Sequence, residues 1–409
     1  MKKLFLPVLF ALALLGVNAQ ETGMHFEHNT TWENILAKAK KENKYIFMDC
    51  FTTWCGPCKM MSANIFPKAE VGNYFNARFV NAKMQMDRTP KDEAEIKSLY
   101  ATADEIAKKY DVRAYPTYLI FNPQGEIVHR FVGSMSEEEF LAKAKDVMIP
   151  EKQYYTQLRK YQAGEKSPEF LHQLALLSRA AYDMKNAKEI ADKYLATQKD
   201  LYTKENLELI QDFTMSSKDQ GFKIMMENPA KVDAILGEGT SDKTINRIIL
   251  SEEVLPKLST KTEAAPDFAA IQKEVAGKYP KQAPELTAYA KVIYYQKKSE
   301  WNNFGPAVTE YMKNYGSKVS PDQMNNFAWQ IFQNCNDATC VENALAWSKQ
   351  SFAKDNNYQF MDTYANLLMK AGKKQEAIDW ETKAVALAKE KKDPQAGEME
   401  GTLSEMKSK

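Results

Sequence analysis

Trp54-Cys55-Gly56-Pro57-Cys58-Lys59 is the stretch that decides how this chain is read. Two cysteines with two residues between them can close a small ring and reopen it. The segment before them, Tyr45-Ile46-Phe47-Met48-Asp49-Cys50-Phe51, is apolar enough for a buried strand. The segment after them, Lys59-Met60-Met61-Ser62-Ala63, reads as the opening turns of a helix. Cys55 is thereby placed at a helix N-terminus, where free N–H groups and the helix dipole favour negative charge. The thiolate is the reactive form of cysteine, and such a setting lowers a thiol pKa to roughly 3.5–7.5. Cys55 is therefore the expected nucleophile, and Cys58, one turn inside, the resolving thiol. Half of a zinc site and a purely structural disulfide are the competing readings. Zinc needs two further ligands, and this half of the chain offers no second cysteine pair and no His-x-x-x-His.

Residues well outside the pair extend the pattern, and together they resemble thioredoxin. Asp49 stands on the strand before the cysteines, where thioredoxins carry a buried acid. Ala82-Lys83-Met84-Gln85-Met86-Asp87 matches the next core strand, with Lys83 where thioredoxins pair a lysine with that acid. Val112-Arg113-Ala114-Tyr115-Pro116-Thr117 matches the segment whose proline is cis and faces the active site. Gly125 and Gly133 match the glycines of the final hairpin. The resemblance covers roughly residues 24–148.

This likeness implies an α/β thioredoxin fold, a central mixed sheet flanked by helices, and a thiol–disulfide oxidoreductase. Cys55 attacks a substrate sulfur, and Cys58 then releases the substrate by attacking Cys55. Asp49 takes the Cys58 proton, because burial makes a carboxylate a better base, and Lys83 tunes its charge. Trp54, Gly56, Pro57, Tyr115 and Pro116 form the surface for the substrate, with a cis Pro116 leaving a backbone edge free for an extended segment. Gly-Pro between the cysteines is the thioredoxin pair, which implies a reductase. The expected partners are protein disulfides and thiols, with a membrane thiol donor upstream. No cofactor is expected beyond the redox-active disulfide itself, and no metal.

At 409 residues the chain is too long for one ordinary domain. Lysine and arginine total 55 and aspartate and glutamate 54, so neither nucleic acid nor an anionic membrane is an electrostatically favoured partner. Lys2-Lys3 followed by the apolar run Leu4 to Leu15 reads as an export signal, too short to span a bilayer, with Val17-Asn18-Ala19 before a cut at Gln20. The short basic region looks bacterial and suggests a periplasmic protein with no membrane insertion after cleavage. The expected domains are a signal peptide at 1–19, a thioredoxin-like domain at 20–148 and an all-α helical-repeat domain at 151–409.

Beyond Pro150 no alternating strand pattern recurs, and helical periodicity continues to about residue 390, broken by turns near 164, 237, 266, 280, 305 and 321. Ala344-Leu345-Ala346-Trp347 recurs 33 residues on as Ala377-Ile378-Asp379-Trp380, and Ala290, Ala328 and Ala365 stand 38 and 37 residues apart. A period in the thirties indicates stacked helical hairpins, and the last unit resembles a tetratricopeptide repeat. An array of this kind can instead be the working part, a scaffold to which the first domain is auxiliary. Five cysteines leave one unpaired: Cys50 is expected as a small buried hydrophobe. Cys335 and Cys340, flanking a turn, are expected as a structural disulfide.

Overall fold

The computed structural model describes residues 23–259 and 264–409. The expected export signal at 1–19 lies outside the described residues. Among them, no helix is long and apolar enough to cross a membrane. The chain forms two compact units that divide between Lys199 and Asp200.

The first unit is built on four strands: β1 (Tyr45–Phe51), β2 (Phe79–Gln85), β3 (Thr117–Phe121) and β4 (Ile127–Val132), in the order β2-β1-β3-β4. β1 and β2 run parallel, while β3 is antiparallel to both β1 and β4. Because side chains alternate along a strand, the sheet has two distinct faces. Phe47, Phe79, Tyr118, Ile120 and Phe131 line one, packed with Met61, Phe75 and Phe140. Ile46, Met48, Cys50, Ala82, Met84 and Leu119 line the other, packed with Ile35, Ala39 and Ile106. Strands buried on both faces read as near-continuous apolar runs, which is why 45–51 stood out. The segment 24–28 joins β2 through a single bridge, Phe26 to Asn81.

The helices of this unit are α1 (Trp32–Glu42), α2 (Gly56–Met60), α3 (Ala69–Arg78), α4 (Ala94–Ser98), α5 (Tyr100–Lys109), α6 (Glu137–Asp146), α7 (Tyr154–Gln162), α8 (Pro168–Ala180) and α9 (Met184–Leu195). Thr31 caps α1 by accepting the Asn34 N–H, and Ser136 with Glu139 forms the full capping box of α6. The chain between β3 and β4 turns at Gly125, whose φ of +81° suits glycine. Helix α7 packs against β4, and α8 against α9. The first unit therefore continues well past Pro150: Tyr154 is wholly buried, and its backbone N–H donates to His129 on β4.

Among the described residues the second unit is built of helices: α10 (Lys204–Phe213), α11 (Gln220–Glu227), α12 (Pro229–Leu236), α13 (Thr240–Ile249), α14 (Phe268–Lys278), α15 (Ala283–Lys298), α16 (Trp301–Tyr315), α17 (Pro321–Asn334), α18 (Ala338–Ser351), α19 (Tyr358–Lys370), α20 (Lys374–Glu390) and α21 (Ala396–Ser408). Helices α15 and α16, α17 and α18, and α19 and α20 pack as successive pairs. Ala290, Ala328 and Ala365 sit on the first helix of each pair and are wholly buried. A methyl at that position lets the neighbouring helix approach closely.

Two expectations fail here. No turn forms at 305: Gly305 and Pro306 lie inside α16, and the chain turns earlier, at Ser299 in the left-handed conformation. Cys335 and Cys340 are not bridged but stand as two free, buried thiols. Cys335 ends α17 and Cys340 lies in the first turn of α18, where Asp337 caps its N–H. Both sulfurs face Gly305, where a Cβ would come within 2.6 Å of the Cys340 Sγ. The pair is thus part of the helix packing and not an exposed clip on a turn. The glycine that suggested a turn is there for close approach.

Candidate functional site

Strand β1 delivers Asp49 to the sheet face that the active-site helix covers, and the loop after β1 delivers the cysteines. Thr53 donates its backbone N–H (2.9 Å) and its hydroxyl to the Asp87 carboxylate at the end of β2, and Cys55 N–H reaches Thr52 O at 3.3 Å. The loop is therefore held at both ends before the helix begins. Cys55 is the N-cap of α2: its Sγ accepts the Cys58 N–H at 3.1 Å, and Pro57 occupies the first turn, where its missing donor costs nothing. Cys55 and Cys58 are joined as a disulfide. Both are largely enclosed, at 3% and 4% exposure, while Gly56 and Pro57 are exposed. Trp54 stands 69% exposed beside them, its ring edge-on to Tyr115 at 5.9 Å. The Tyr115–Pro116 peptide bond is cis, as the likeness implied.

Behind the disulfide the sheet face carries charge. Asp49 is register partner of Lys83 on β2 and of Tyr118 on β3, and its side chain is almost wholly buried. Burial, opposed by the Lys83 charge, pushes its carboxyl up to about 6. The Lys83 ammonium lies 3.6 Å from Asp49 Oδ2 and 2.8 Å from the hydroxyl of Ser62. The rings of Phe26, Phe51 and Phe66 surround it at 5.1, 5.1 and 5.3 Å. Asp49 Oδ1 and the Tyr118 hydroxyl are buried with no hydrogen-bond partner among the described residues. A carboxyl that gains and loses its proton near neutrality is suited to accept one from a thiol.

The structure thus brings Cys55, Cys58, Asp49, Lys83, Trp54, Gly56, Pro57, Tyr115 and Pro116 into one region of the first unit. Cys50, adjacent to Asp49, faces the opposite side of the sheet; burial, reinforced by the Asp49 charge, raises its thiol well above the usual range. Three residues escaped the sequence reading. Ser62 lies one helical turn beyond Cys58, in a wider π-type turn spanning Met61–Ile65, and a helical projection from Cys58 would have flagged it. Tyr118 needed the strand register. Asp87 reads in sequence only as the end of the segment that matches the second core strand, with no part in holding the cysteine loop. Just beyond it, Asp92 draws together Thr89, Gln85 and Tyr100 and is held well below the usual carboxylate range by these hydrogen bonds. Among the described residues, no group of three or more potential ligands could hold a metal ion.

A sequence profile of the thioredoxin-like domain matches residues 32–148. Over 110 residues the chain is 33% identical to thioredoxin H4 of Arabidopsis thaliana, a match covering 27% of this chain and 77% of that protein. It is 34% identical over 108 residues to thioredoxin-2 of Pyricularia oryzae, covering 26% of this chain and 52% of that one. A solution structure of a candidate disulphide-isomerase from Bacteroides thetaiotaomicron shares 40% identity, covering 32% of this chain and 98% of that chain, with a TM-score of 0.27.

Proposed function

The chain belongs to the thioredoxin family through residues 32–148, and on that premise we propose that it is an exported thiol–disulfide reductase whose helical second unit binds or positions protein substrates. The observation that carries the reading is a Cys55–Cys58 disulfide at a helix start, with a buried carboxyl, Asp49, poised near neutrality on the sheet face that this helix covers.

In the reduced protein the Cys55 thiolate attacks one sulfur of a substrate disulfide, and the other substrate sulfur leaves as a thiolate. Cys58 gives its proton to Asp49 and attacks Cys55. The second substrate sulfur departs, and the Cys55–Cys58 pair has lost the two electrons that the substrate gained. Trp54 and Tyr115 offer the approaching chain an apolar surface beside the sulfurs. A thiol donor at the membrane would return the pair to its reduced state.

Trapping tests the proposal. Only Cys58 can release the mixed disulfide quickly, so Cys58→Ser should accumulate reductant-sensitive adducts with exported cysteine-containing proteins. The double variant with Cys55→Ser should accumulate none. Partners that instead co-purify with both variants regardless of reductant would make the helical unit a scaffold and the cysteines incidental.

A further inference from the structure

Lys83 makes a choice between two acceptors. Its ammonium hydrogen-bonds Ser62 Oγ at 2.8 Å and stands farther off, at 3.6 Å, from Asp49 Oδ2. A direct ammonium–carboxylate hydrogen bond is shorter and about twice as strong as a neutral one, so the longer contact to the carboxylate calls for a cause. The aromatic box of Phe26, Phe51 and Phe66 holds the ammonium loosely, all three centroids lying beyond 5 Å. Ser62 makes the shorter of its two polar contacts, from the widened turn that follows the Cys58 turn.

We propose that Ser62 is a positioning residue for the proton acceptor: by holding the Lys83 ammonium, it keeps that charge from closing fully onto Asp49. The inference rests on the oxidoreductase reading for its meaning and on the geometry for its content. The groups that face Asp49 are few. Lys83 comes from β2 and the unpartnered Tyr118 hydroxyl from β3, and Ser62 reaches the Lys83 ammonium from the turn that follows α2. Cys50 follows Asp49 on β1 but points to the other side of the sheet. Lys83 is therefore the single opposite charge that can move relative to the carboxylate, and Ser62 decides where it rests. A hydrogen bond to the charged form of an acid favours that form. Were the ammonium released from Ser62, it would settle onto Oδ2, and Asp49 would hold its proton less tightly. A weaker base at the same position takes the Cys58 proton more slowly.

The test reads Asp49 directly in the full-length oxidised protein, by carbon-13 NMR titration of labelled aspartate carboxyls, with Asp49→Asn identifying the signal. Ser62→Ala should move the Asp49 midpoint down by at least about half a unit, and in the reduced enzyme should slow resolution of the mixed disulfide about 2–3-fold at pH 7. Ser62→Thr, which restores the hydroxyl, should return both to wild-type values. In a Lys83→Met background Ser62→Ala should leave the midpoint unchanged. Alanine favours a helical turn more than serine does, and Ser62→Gly serves the same comparison if the alanine variant fails to fold. A midpoint that stays put or rises with Ser62→Ala overturns the proposal, as does an equal drop without Lys83. The titration needs no turnover, so failure of the reductase reading would show in the trapping experiment and leave this result standing.

Discussion

The backbone N–H of Tyr154 donates to Nδ1 of His129 at 3.0 Å, tying the first helix after the sheet to the sheet's edge strand. Neighbouring bonds reinforce the join. Gln153 reaches Val147 O at 2.7 Å, Arg159 reaches Ile127 O at 3.1 Å, and the Tyr154 hydroxyl donates to Asp183 at 2.7 Å. An open strand edge is a liability that folds cover, and α7 covers this one. A fragment of residues 20–199 should therefore be more stable than one of 20–148, which would expose β4 and leave His129 without its donor. Losing the packing of Tyr154 and Leu158 alone costs several kcal/mol, so the shorter fragment should melt at least about 5 °C lower, taking about 2–4 °C per kcal/mol for fragments of this size. Equal melting temperatures would make α7 dispensable.

The same histidine predicts an acid response. Burial, with the Lys143 charge, pushes His129 down to about 4 from its ordinary 6.5. Between those values the unfolded chain binds a proton that the folded one does not. Stability is therefore complete above pH 6.5 and is lost as pH falls toward 4, by up to roughly 3 kcal/mol from this group. His129→Gln keeps an acceptor for Tyr154 and cannot titrate. The wild-type minus variant difference in unfolding free energy should fall across that window and stay flat above pH 7.

Much of the site was legible because its chemistry is local. Cys55, Cys58 and the capping geometry lie within one turn, and Asp49 declares itself as a charge in an apolar strand. What stayed hidden depends on pairing between distant segments. Nothing near Tyr118 says that it will lie beside Asp49, and nothing near Tyr154 says that it will seal β4, since helical periodicity looks the same on either side of a unit boundary. Gly305 was misread for a related reason: a glycine kept for a partner's approach is indistinguishable in sequence from a glycine kept for a turn.

Asp49→Asn should act in two directions. A carboxyl raised to about 6 binds its proton more tightly folded than unfolded, so this group lowers stability as pH rises from about 4 to 6, and the cost persists above. The variant should be more stable than wild type at pH 7, by at most about 3 kcal/mol, with the gain shrinking toward pH 4. It should also resolve mixed disulfides more slowly at neutral pH while Cys55 attacks at a near-normal rate. Stopped-flow kinetics alongside denaturant titration checks both halves, and unchanged resolution from pH 6 to 9 would remove Asp49 from the mechanism.

The free thiols should be inert in the folded protein. Cys50 is wholly buried, and burial with the Cys335 contact pushes the Cys340 thiol up to about 12. After reduction, a small alkylating reagent should label Cys55 first and reach Cys50, Cys335 and Cys340 only on unfolding. Gly305→Ala would press a Cβ against the Cys340 sulfur and should cost about 1–3 kcal/mol. It should speed labelling of both cysteines as the α16 contact loosens. Peptide mapping that finds Cys335 joined to Cys340 in the isolated protein would restore the disulfide first expected there.

The second unit carries its own pH dependence in Glu381, a wholly buried acid on α20. It faces Asp362 of α19, whose neighbours are Asn366 on its own helix and Glu398 of α21. Burial first, then the Asp362 charge, raises Glu381 to about 8. Two carboxyls at such a site cannot both ionise cheaply. The folded state therefore holds a proton that the unfolded state has released, and stability declines as pH rises from the ordinary glutamate range toward 8. Glu381→Gln keeps the shape and a hydrogen-bonding amide for Asp362 without the charge. The variant should exceed wild type by at least about 1 kcal/mol at pH 8 and lose that advantage by pH 5. The urea midpoint at the two pH values measures it, and a variant equally or less stable than wild type at pH 8 would mean that the pair is compensated in solution.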